Sequence, residues 1–289
     1  MRLTRRRFLA ASAASAAAAA CTSGGSTAAP APAGPRTLPY GDSASQVADL
    51  YLPAGDGRHP VVVLVHGGFW RSSYDRSLMA PLAADLASKG YAAWNIEYRR
   101  VGEPGGGWPG LFTDVAAAVD ALATVPEIDP AQVVSCGHSA GGHLALWIAA
   151  RPRLGATVPG GAPKVEVVAA VSQAGVADLA AAYRDDLGAG AVGSLLGGAP
   201  DAVPDRYAVA DPAALVPLGV AQLLVHGSAD AHVPVSQSTG YERQARAAGD
   251  DVALQVFQGA DHFAVIDPTH ASWRAVTTAL PTLLTGHTP

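Results

Sequence analysis

Residues 133–147 pass from a strand-like run to a helix-like run with no ordinary loop between them. Residues 133–136 form a short apolar run typical of a buried strand, and from His143 onward the pattern is that of the apolar part of a helix. The junction, residues 137–141, has the sequence Gly-His-Ser-Ala-Gly. A strand can enter a helix over so few residues only through a sharp backbone bend, which glycines on both sides permit.

Strand-like and helix-like segments alternate along most of the chain, and this predicts an α/β fold. Such alternation favours a mostly parallel central sheet flanked by helices, with ligand sites at the carboxyl ends of the strands. The length of 289 residues is compatible with one such domain. The predicted strands are 36–40, 48–52, 61–65, 91–97, 133–136, 165–172, 222–226 and 252–257. The predicted helices are 77–89, 114–124, 140–150, 235–248 and 268–284.

Residues 175–219 interrupt this alternation. They lie between two predicted strands and are rich in Gly, Pro, Ala and Asp. The stretch is too long for a simple connection. It is therefore predicted to be a small cap or lid insertion, or else a decorated crossover helix.

The pattern G-x-S-x-G at residues 137–141 makes Ser139 a candidate nucleophile. A serine on a sharp strand-to-helix turn is held in a strained conformation that exposes its hydroxyl above the sheet. Side chains at Gly137 and Gly141 would collide with neighbouring backbone, and Gly142 leaves further room. The bend at the strand end is therefore interpreted as a device for presenting Ser139.

The glycine-rich sequence His-Gly-Gly-Phe-Trp at residues 66–70 follows another predicted strand. Its backbone N–H groups are suited to bind the oxygen that becomes negative when an acyl carbonyl is attacked. We expect Gly68 and Phe69 to supply one arm of this oxyanion hole, with Gly67 as an alternative, and Ala140 to supply the other. A tight turn that merely needs glycine is the other interpretation.

A general base and an acid are predicted at the ends of two later strands. His262 follows the strand at 252–257 and can take a proton as a neutral imidazole. Asp230 is the candidate that orients this imidazole, because its loop directly precedes the strand that leads to the base. Asp178 is the alternative acid. The order along the chain is Ser139, Asp230, His262.

From about residue 36 to the end, the chain resembles an α/β-hydrolase of the esterase/lipase kind. This order of nucleophile, acid and base is the one found in that superfamily. His-Gly-Gly-Phe-Trp also resembles the HGGxW element of kynurenine formamidase-like and feruloyl-esterase-like members. Relatives of hormone-sensitive lipase carry HGGG instead, and Phe69 departs from that pattern. The resemblance implies that residues 36–289 form the hydrolase domain, with residues 175–219 at the usual position of a cap.

Trp70 and Trp108 lie in predicted loops near the strand ends. They are expected either to line an aromatic pocket as substrate-binding residues or to cover the core. His138 and His143 flank the serine, but they form no cluster with the spacing of metal ligands, so no metal site is predicted. The proposed chemistry needs no cofactor.

The first residues predict export. Residues 1–21 combine a basic head with an alanine-rich run, as a secretory signal does, and the pair Arg5-Arg6 resembles a twin-arginine signal. Cys21 follows small residues and resembles the lipid-modified cysteine of a bacterial lipoprotein. Residues 22–35 have the composition of a flexible tether. We expect a protein anchored by lipid at Cys21 on the outer face of the cytoplasmic membrane, or otherwise a secreted one.

Charge argues against nucleic acid as a partner. The chain has 19 Lys and Arg residues against 24 Asp and Glu residues, and four of the arginines lie within the predicted signal. The membrane is expected to be contacted only through the lipid anchor, and oligomeric state is left open.

Together these patterns predict an exported serine hydrolase, a carboxylesterase that cleaves small or aryl esters through an acyl-enzyme. An amidase, an aryl formamidase or a small exopeptidase using the same three residues is the first alternative. A catalytically silent surface-binding protein on the same fold is the second.

Overall fold

The computed structural model describes residues 34–289. The predicted signal, Cys21 and nearly all of the predicted tether lie outside the described residues. The described chain contains an eight-stranded sheet with the order β1-β2-β4-β3-β5-β6-β7-β8. The strands are β1 Arg36–Pro39, β2 Val47–Tyr51, β3 His59–Val65, β4 Ala92–Ile96, β5 Ile128–His138, β6 Ala169–Gln173, β7 Ala221–Gly227 and β8 Val252–Phe257.

β1 and β2 pair in antiparallel fashion, and β2 is antiparallel to β4. Strands β3 to β8 are mutually parallel where they pair, so their carboxyl ends share one edge of the sheet. Helices cover both faces of the sheet. They are α1 Ala80–Ser88, α2 Gly110–Asp120, α3 Ala140–Ala150, α4 Leu179–Arg184, α5 Ala191–Leu196, α6 Pro204–Ala210, α7 Pro212–Leu215, α8 Ser236–Ala247 and α9 Ala271–Leu283.

The continuous apolar run of β3 is explained by burial on both faces. Val61, Val63 and Val65 belong to the core under α2 and α3, whereas Val62 and Leu64 belong to the core under α1 and α9. Side chains alternate between the two faces of a strand, so a strand covered on both sides has no polar positions. The predicted α/β-hydrolase fold, a mostly parallel sheet flanked by helices, is confirmed.

Several predicted boundaries differ from the structure, and two of the differences have an evident physical reason. Helix α2 begins at Gly110 rather than near Asp114, because the Asp114 carboxylate does not cap the helix but accepts hydrogen bonds from Nε and Nη2 of Arg99 at 2.7 and 2.6 Å. β6 begins at Ala169 rather than at residue 165. Val165 and Val167 are nevertheless buried. The apolar residues before Ala169 therefore indicated burial, and not pairing in the sheet.

The insertion at residues 175–219 consists of the four short helices α4 to α7. Leu179, Val192 and Leu195 are completely or almost completely buried in the core that also contains α3. The insertion is therefore anchored to the domain by apolar contacts. A turn within it, residues 186–190, approaches the loop that follows β3, as described below.

Candidate active site

Ser139 stands at the sharp turn between β5 and α3, with φ 57° and ψ −120°. This is a conformation that residues with a side chain rarely adopt. A Cβ added to Gly137 would overlap the carbonyl oxygen of Gly141, and one added to Gly141 would overlap that of Val65. The expected steric need for both glycines therefore holds in the structure.

His262 and Asp230 are joined by a short hydrogen bond. Nδ1 of His262 lies 2.6 Å from Oδ2 of Asp230, and both side chains are almost completely buried. The other carboxylate oxygen, Oδ1, accepts the backbone N–H groups of His232 and Val233, each at 2.8 Å. These contacts fix the carboxylate, which in turn orients the imidazole.

Asp230 is held in its charged form by its partners. Burial alone would raise the pKa of the Asp230 carboxyl, but the hydrogen bonds that it accepts, led by those from His226 and His262, outweigh burial. The pKa therefore lies below its ordinary value of 3.8. A carboxylate that stays ionised can compensate the positive charge that His262 acquires on taking a proton.

Ser139 and His262 line the same pocket. Within the described part of the chain, no hydrogen bond joins their side chains directly. Such bonds are often long before substrate binds and tighten in the complex. The structure thus brings together the three residues that the sequence singled out, with the acid–base contact formed.

The alternative acid, Asp178, has another task. Its carboxylate accepts the backbone N–H of Ala181 at 2.7 Å and so caps the N-terminus of α4. A carboxylate so occupied stabilises the insertion, whereas Asp230 is the acid that contacts His262.

The loop after β3 lies directly against the serine turn. A Cβ added to Gly67 would lie 2.8 Å from the carbonyl oxygen of His138 and 2.9 Å from Cβ of Ser139. Among the described residues, none accepts a hydrogen bond from the backbone N–H groups of Gly68, Phe69 or Ala140. Free N–H groups beside the nucleophile are what an oxyanion hole requires.

This loop has an unusual backbone. Gly68 has φ 115°, and Phe69 and Trp70 have φ 52° and 58° although neither is glycine. The buried side chain of His66 supports the loop: its Nδ1 donates to the carbonyl oxygen of Gly67 at 2.8 Å, and its Nε2 lies 2.9 Å from the buried carboxylate of Glu97. The loop is therefore supported by the core rather than free.

His138 contacts the loop that carries the base. Its ring centroid lies 4.5 Å from that of His262, and its Nδ1 is buried without a hydrogen-bond partner in the described structure. Burial, followed by repulsion from the His262 charge, lowers the pKa of His138 to about 3. His138 is therefore a neutral residue of the site near pH 7. The sequence had singled out this histidine only as a neighbour of the serine.

A pocket of about 160 Å³ opens beside Ser139. The residues that line it share an aromatic or apolar character, and none of those in the described chain is Asp, Glu, Lys or Arg. They are Gly68, Phe69, Tyr74, Leu78, His138, Ser139, His232, His262 and Phe263. The pocket thus fits a small uncharged group.

The prediction that Trp70 and Trp108 bind substrate needs correction, because neither lines this pocket. Trp70 is 1% exposed, and its Nε1 donates to Nδ1 of His143 at 3.2 Å. Trp108 is half-buried, and its ring packs edge-on against Phe112. Both tryptophans pack in or against the hydrophobic core. This corresponds to the alternative that they cover the core.

Three aromatic residues that line the pocket were not predicted from the sequence: Tyr74, His232 and Phe263. Tyr74 and Phe263 are 44% and 40% exposed, and their ring centroids are 6.5 Å apart at the pocket mouth. His232 and Phe263 stand one or two residues beyond Asp230 and His262. Because His232 and Phe263 follow predicted site residues so closely, their positions could have indicated from the sequence that they line the pocket.

Residues 34–289 contain no group of three or more His, Cys, Asp or Glu side chains arranged to hold a metal ion. None of the helices described there combines the length and apolarity needed to cross a membrane.

Comparison with known proteins adds a family match. The family model described as BD-FAE matches residues 48–244, well over half of the chain. The matched region includes the loop after β3, Ser139 and Asp230, and it ends before His262.

Individual relatives are similar to part of the chain, and solved structures are similar to its fold. The chain is 32% identical to isoprenylcysteine alpha-carbonyl methylesterase ICME of Arabidopsis thaliana over 38% of this chain and 26% of that protein. It is 32% identical to kynurenine formamidase of Danio rerio over 38% of this chain and 37% of that protein. The matches thus span between about a quarter and just over a third of these relatives' lengths. A truncated carbohydrate esterase from gut microbiota superposes with a TM-score of 0.73 and 22% identity, over 88% of this chain and 98% of that one.

Proposed function

The chain belongs to the BD-FAE family and has the α/β-hydrolase fold, and from this premise we propose that it is an exported serine carboxylesterase for small or aryl esters. The observation that carries the proposal is the 2.6 Å contact between Oδ2 of Asp230 and Nδ1 of His262, whose ring lines the same pocket as Ser139. Catalytic triads are recognised by such geometry and by the roles of the residues.

In the proposed reaction, Oγ of Ser139 attacks the carbonyl carbon of the ester while Nε2 of His262 takes its proton. The carbonyl oxygen becomes negative and accepts hydrogen bonds from the free N–H groups of the oxyanion hole, supplied by Gly68, Phe69 and Ala140. Breakdown of this intermediate expels the alcohol, which receives the proton from His262, and leaves Ser139 acylated.

Water completes the cycle. His262 removes a proton from the water as it attacks the acyl-enzyme, and then returns that proton to Oγ of Ser139 as the acid product leaves. Asp230 keeps Nδ1 of His262 protonated throughout, so that Nε2 is free to act as the base.

The pocket supports small or aryl neutral substrates. Its volume of about 160 Å³ is smaller than the roughly 300–1,000 Å³ of typical ligand pockets. Phe69, Tyr74 and Phe263 offer aromatic contact to an acyl or alcohol group, and the lining residues offer no permanent charge to a charged one.

Export and anchoring belong to the same proposal and rest on residues 1–21. In a bacterium with a twin-arginine pathway, we expect the double variant Arg5→Lys/Arg6→Lys to stay inside the cell. Cys21→Ala should abolish incorporation of labelled fatty acid into the protein. Fatty-acid labelling that persists in Cys21→Ala would contradict the anchor, and export of the lysine variant would contradict the twin-arginine signal.

Amide hydrolysis, and aryl formamide hydrolysis in particular, is the second candidate. It is favoured by the similarity to the kynurenine formamidase of Danio rerio and by the His-Gly-Gly-Phe-Trp sequence. The same three side chains would act, with an amine in place of the alcohol.

One experiment tests both candidates. The domain beginning at residue 34 is incubated with p-nitrophenyl esters of increasing acyl length, with N-formyl aniline and with aminoacyl anilides. We expect the largest kcat/KM for the p-nitrophenyl esters with short acyl groups, such as the acetate. We also expect a fluorophosphonate adduct on Ser139 that the Ser139→Ala variant lacks. Preference for the formamide would favour the second candidate. An unlabelled Ser139 with no turnover of any substrate would favour the silent binding protein.

A further inference from the structure

The oxyanion-hole loop carries two adjacent non-glycine residues in the left-handed region, Phe69 with φ 52° and Trp70 with φ 58°. Such residues keep this conformation only where surrounding contacts impose it. Trp70 is held by the core, because its Nε1 donates to His143 and its carbonyl oxygen accepts the N–H of Val101 at 2.8 Å. Phe69, whose N–H faces the reacting oxygen in the proposed mechanism, needs a separate support.

That support comes from the insertion. A Cβ added to Gly188 would lie 2.5 Å from Cδ1 of Phe69 and 2.7 Å from Cε1, so the backbone of Gly188 packs directly on the phenyl ring. Two residues along the loop, Nη2 of Arg71 donates to the carbonyl oxygen of Ala189 at 2.9 Å. The turn at residues 186–190 therefore contacts the oxyanion loop at two points.

The turn is itself held in one shape. Asp186, Gly188, Ala189 and Gly190 all have positive φ, between 51° and 72°. The Asp186 carboxylate accepts the N–H of Gly190 at 2.8 Å and closes the turn. On either side, α4 and α5 are buried in the core through Leu179, Val192 and other apolar side chains, as described above.

We propose that the insertion positions the oxyanion hole at two contacts: the backbone of Gly188 fixes the position of the Phe69 ring, and the hydrogen bond from Arg71 to the carbonyl oxygen of Ala189 joins the insertion to the loop after β3. This proposal rests on the proposed serine esterase function. Through the contact of Gly188 with the Phe69 ring, the insertion determines the direction of one oxyanion donor. It acts through Phe69 and does not touch the substrate.

The test compares two glycines of the same turn. Gly188→Ala introduces a methyl group against the Phe69 ring, whereas Gly190→Ala has a similar φ of 72° but meets nothing within 4 Å. Both variants carry the same backbone penalty, and only the first disturbs Phe69. We expect Gly188→Ala to lower kcat for the best ester at least about 10-fold with KM changed less than about threefold. The expected loss is smaller than the roughly 10²- to 10³-fold decrease in kcat that follows when an oxyanion-hole donor is removed completely. Gly190→Ala should stay within about twofold of wild type.

Three further measurements separate positioning from general damage. The inhibition constant of an aryl boronic acid, which forms a tetrahedral adduct on serine, should rise in Gly188→Ala by about the factor lost in kcat. The midpoint of the acid limb of the pH profile should not move, because Asp230 and His262 keep their contact. In the Phe69→Ala background, adding Gly188→Ala should have little further effect, because the ring that the methyl group meets is gone.

Equal losses in the two alanine variants would overturn the proposal, since the effect would then come from backbone strain alone. Full activity of Gly188→Ala would overturn it as well. Either result, obtained with an enzyme that Ser139→Ala inactivates, leaves the serine mechanism standing. An active Ser139→Ala variant would instead refute the proposed function itself.

Discussion

Nε2 of His138 lies 2.9 Å from the backbone carbonyl oxygen of His262, so the residue before Ser139 holds the loop that carries His262. A carbonyl oxygen can only accept, so Nε2 of His138 carries the proton. The ring of His138 remains neutral at this site because its pKa lies at about 3. A second positive charge next to the imidazolium of His262 is thereby avoided.

We predict that, above about pH 4, any fall of kcat/KM for a neutral ester on the acid side has the slope of a single proton. His138 does not titrate in this window, and Asp230 is ionised because its pKa lies below 3.8. His262 is then the one triad group whose protonation abolishes the reaction. Initial rates with saturating and subsaturating ester give the profile, and a limiting slope of two would contradict the neutral state of His138.

Asp230→Asn is predicted to lower kcat by about 10³- to 10⁴-fold with little change in stability, because an asparagine cannot maintain the tautomer of His262 that leaves Nε2 free. Asp178→Asn is the matched control. Its carboxylate caps α4, and asparagine caps a helix about as well, so kcat should change less than about threefold. Steady-state kinetics on both purified variants decide the assignment, and the opposite ranking would make Asp178 the acid.

Gly141→Ala is predicted to destabilise the domain by at least about 2 kcal/mol or to prevent folding, because the new Cβ would overlap the carbonyl oxygen of Val65. Gly155→Ala meets nothing within 4 Å and should change the free energy of unfolding by less than about 0.5 kcal/mol. Urea unfolding followed by circular dichroism measures both. A Gly141→Ala protein as stable as Gly155→Ala would contradict the steric conflict between a side chain at residue 141 and the carbonyl oxygen of Val65.

We predict that the contribution of Asp211 to the free energy of unfolding decreases as pH rises from 4 to 7. Burial, opposed by backbone N–H groups including that of Leu179, raises the pKa of this carboxyl to about 6 from its ordinary value of 3.8. The folded state thus binds the proton more tightly than the unfolded state. The contribution of Asp211 is most favourable below pH 3.8 and is lost as pH rises through 6, by about 3 kcal/mol in all.

The variant Asp211→Asn removes this titration. The free energy of unfolding of the variant relative to wild type should increase by roughly 2–3 kcal/mol between pH 4 and pH 7.5. Asp201→Asn, at an exposed position of the same insertion, is the matched control and is measured at the same two pH values. Parallel curves for wild type and Asp211→Asn would contradict the raised pKa.

Much of the fold could be predicted because its signals are local. The uninterrupted apolar run at residues 61–65 predicted a strand, and these residues form most of β3, where they are buried on both faces of the sheet. The limits of α3 were predicted to the residue, since the glycines and the apolar run mark both ends. The start of α2 was wrong because the partner of Asp114 is Arg99, which stands 15 residues earlier, and no local pattern reveals that choice.

What the sequence by itself determined is the set of candidate catalytic residues and their order, because G-x-S-x-G and the positions of Asp230 and His262 after strands depend only on neighbours along the chain. Only the tertiary structure decided which aromatic side chains face the pocket beside Ser139. Trp70 turned into the core toward His143, while Tyr74 and Phe263, distant in sequence, came to stand at the pocket mouth. The direction of a loop side chain depends on backbone angles and on partners from other elements, and packing sets both only when the chain has folded.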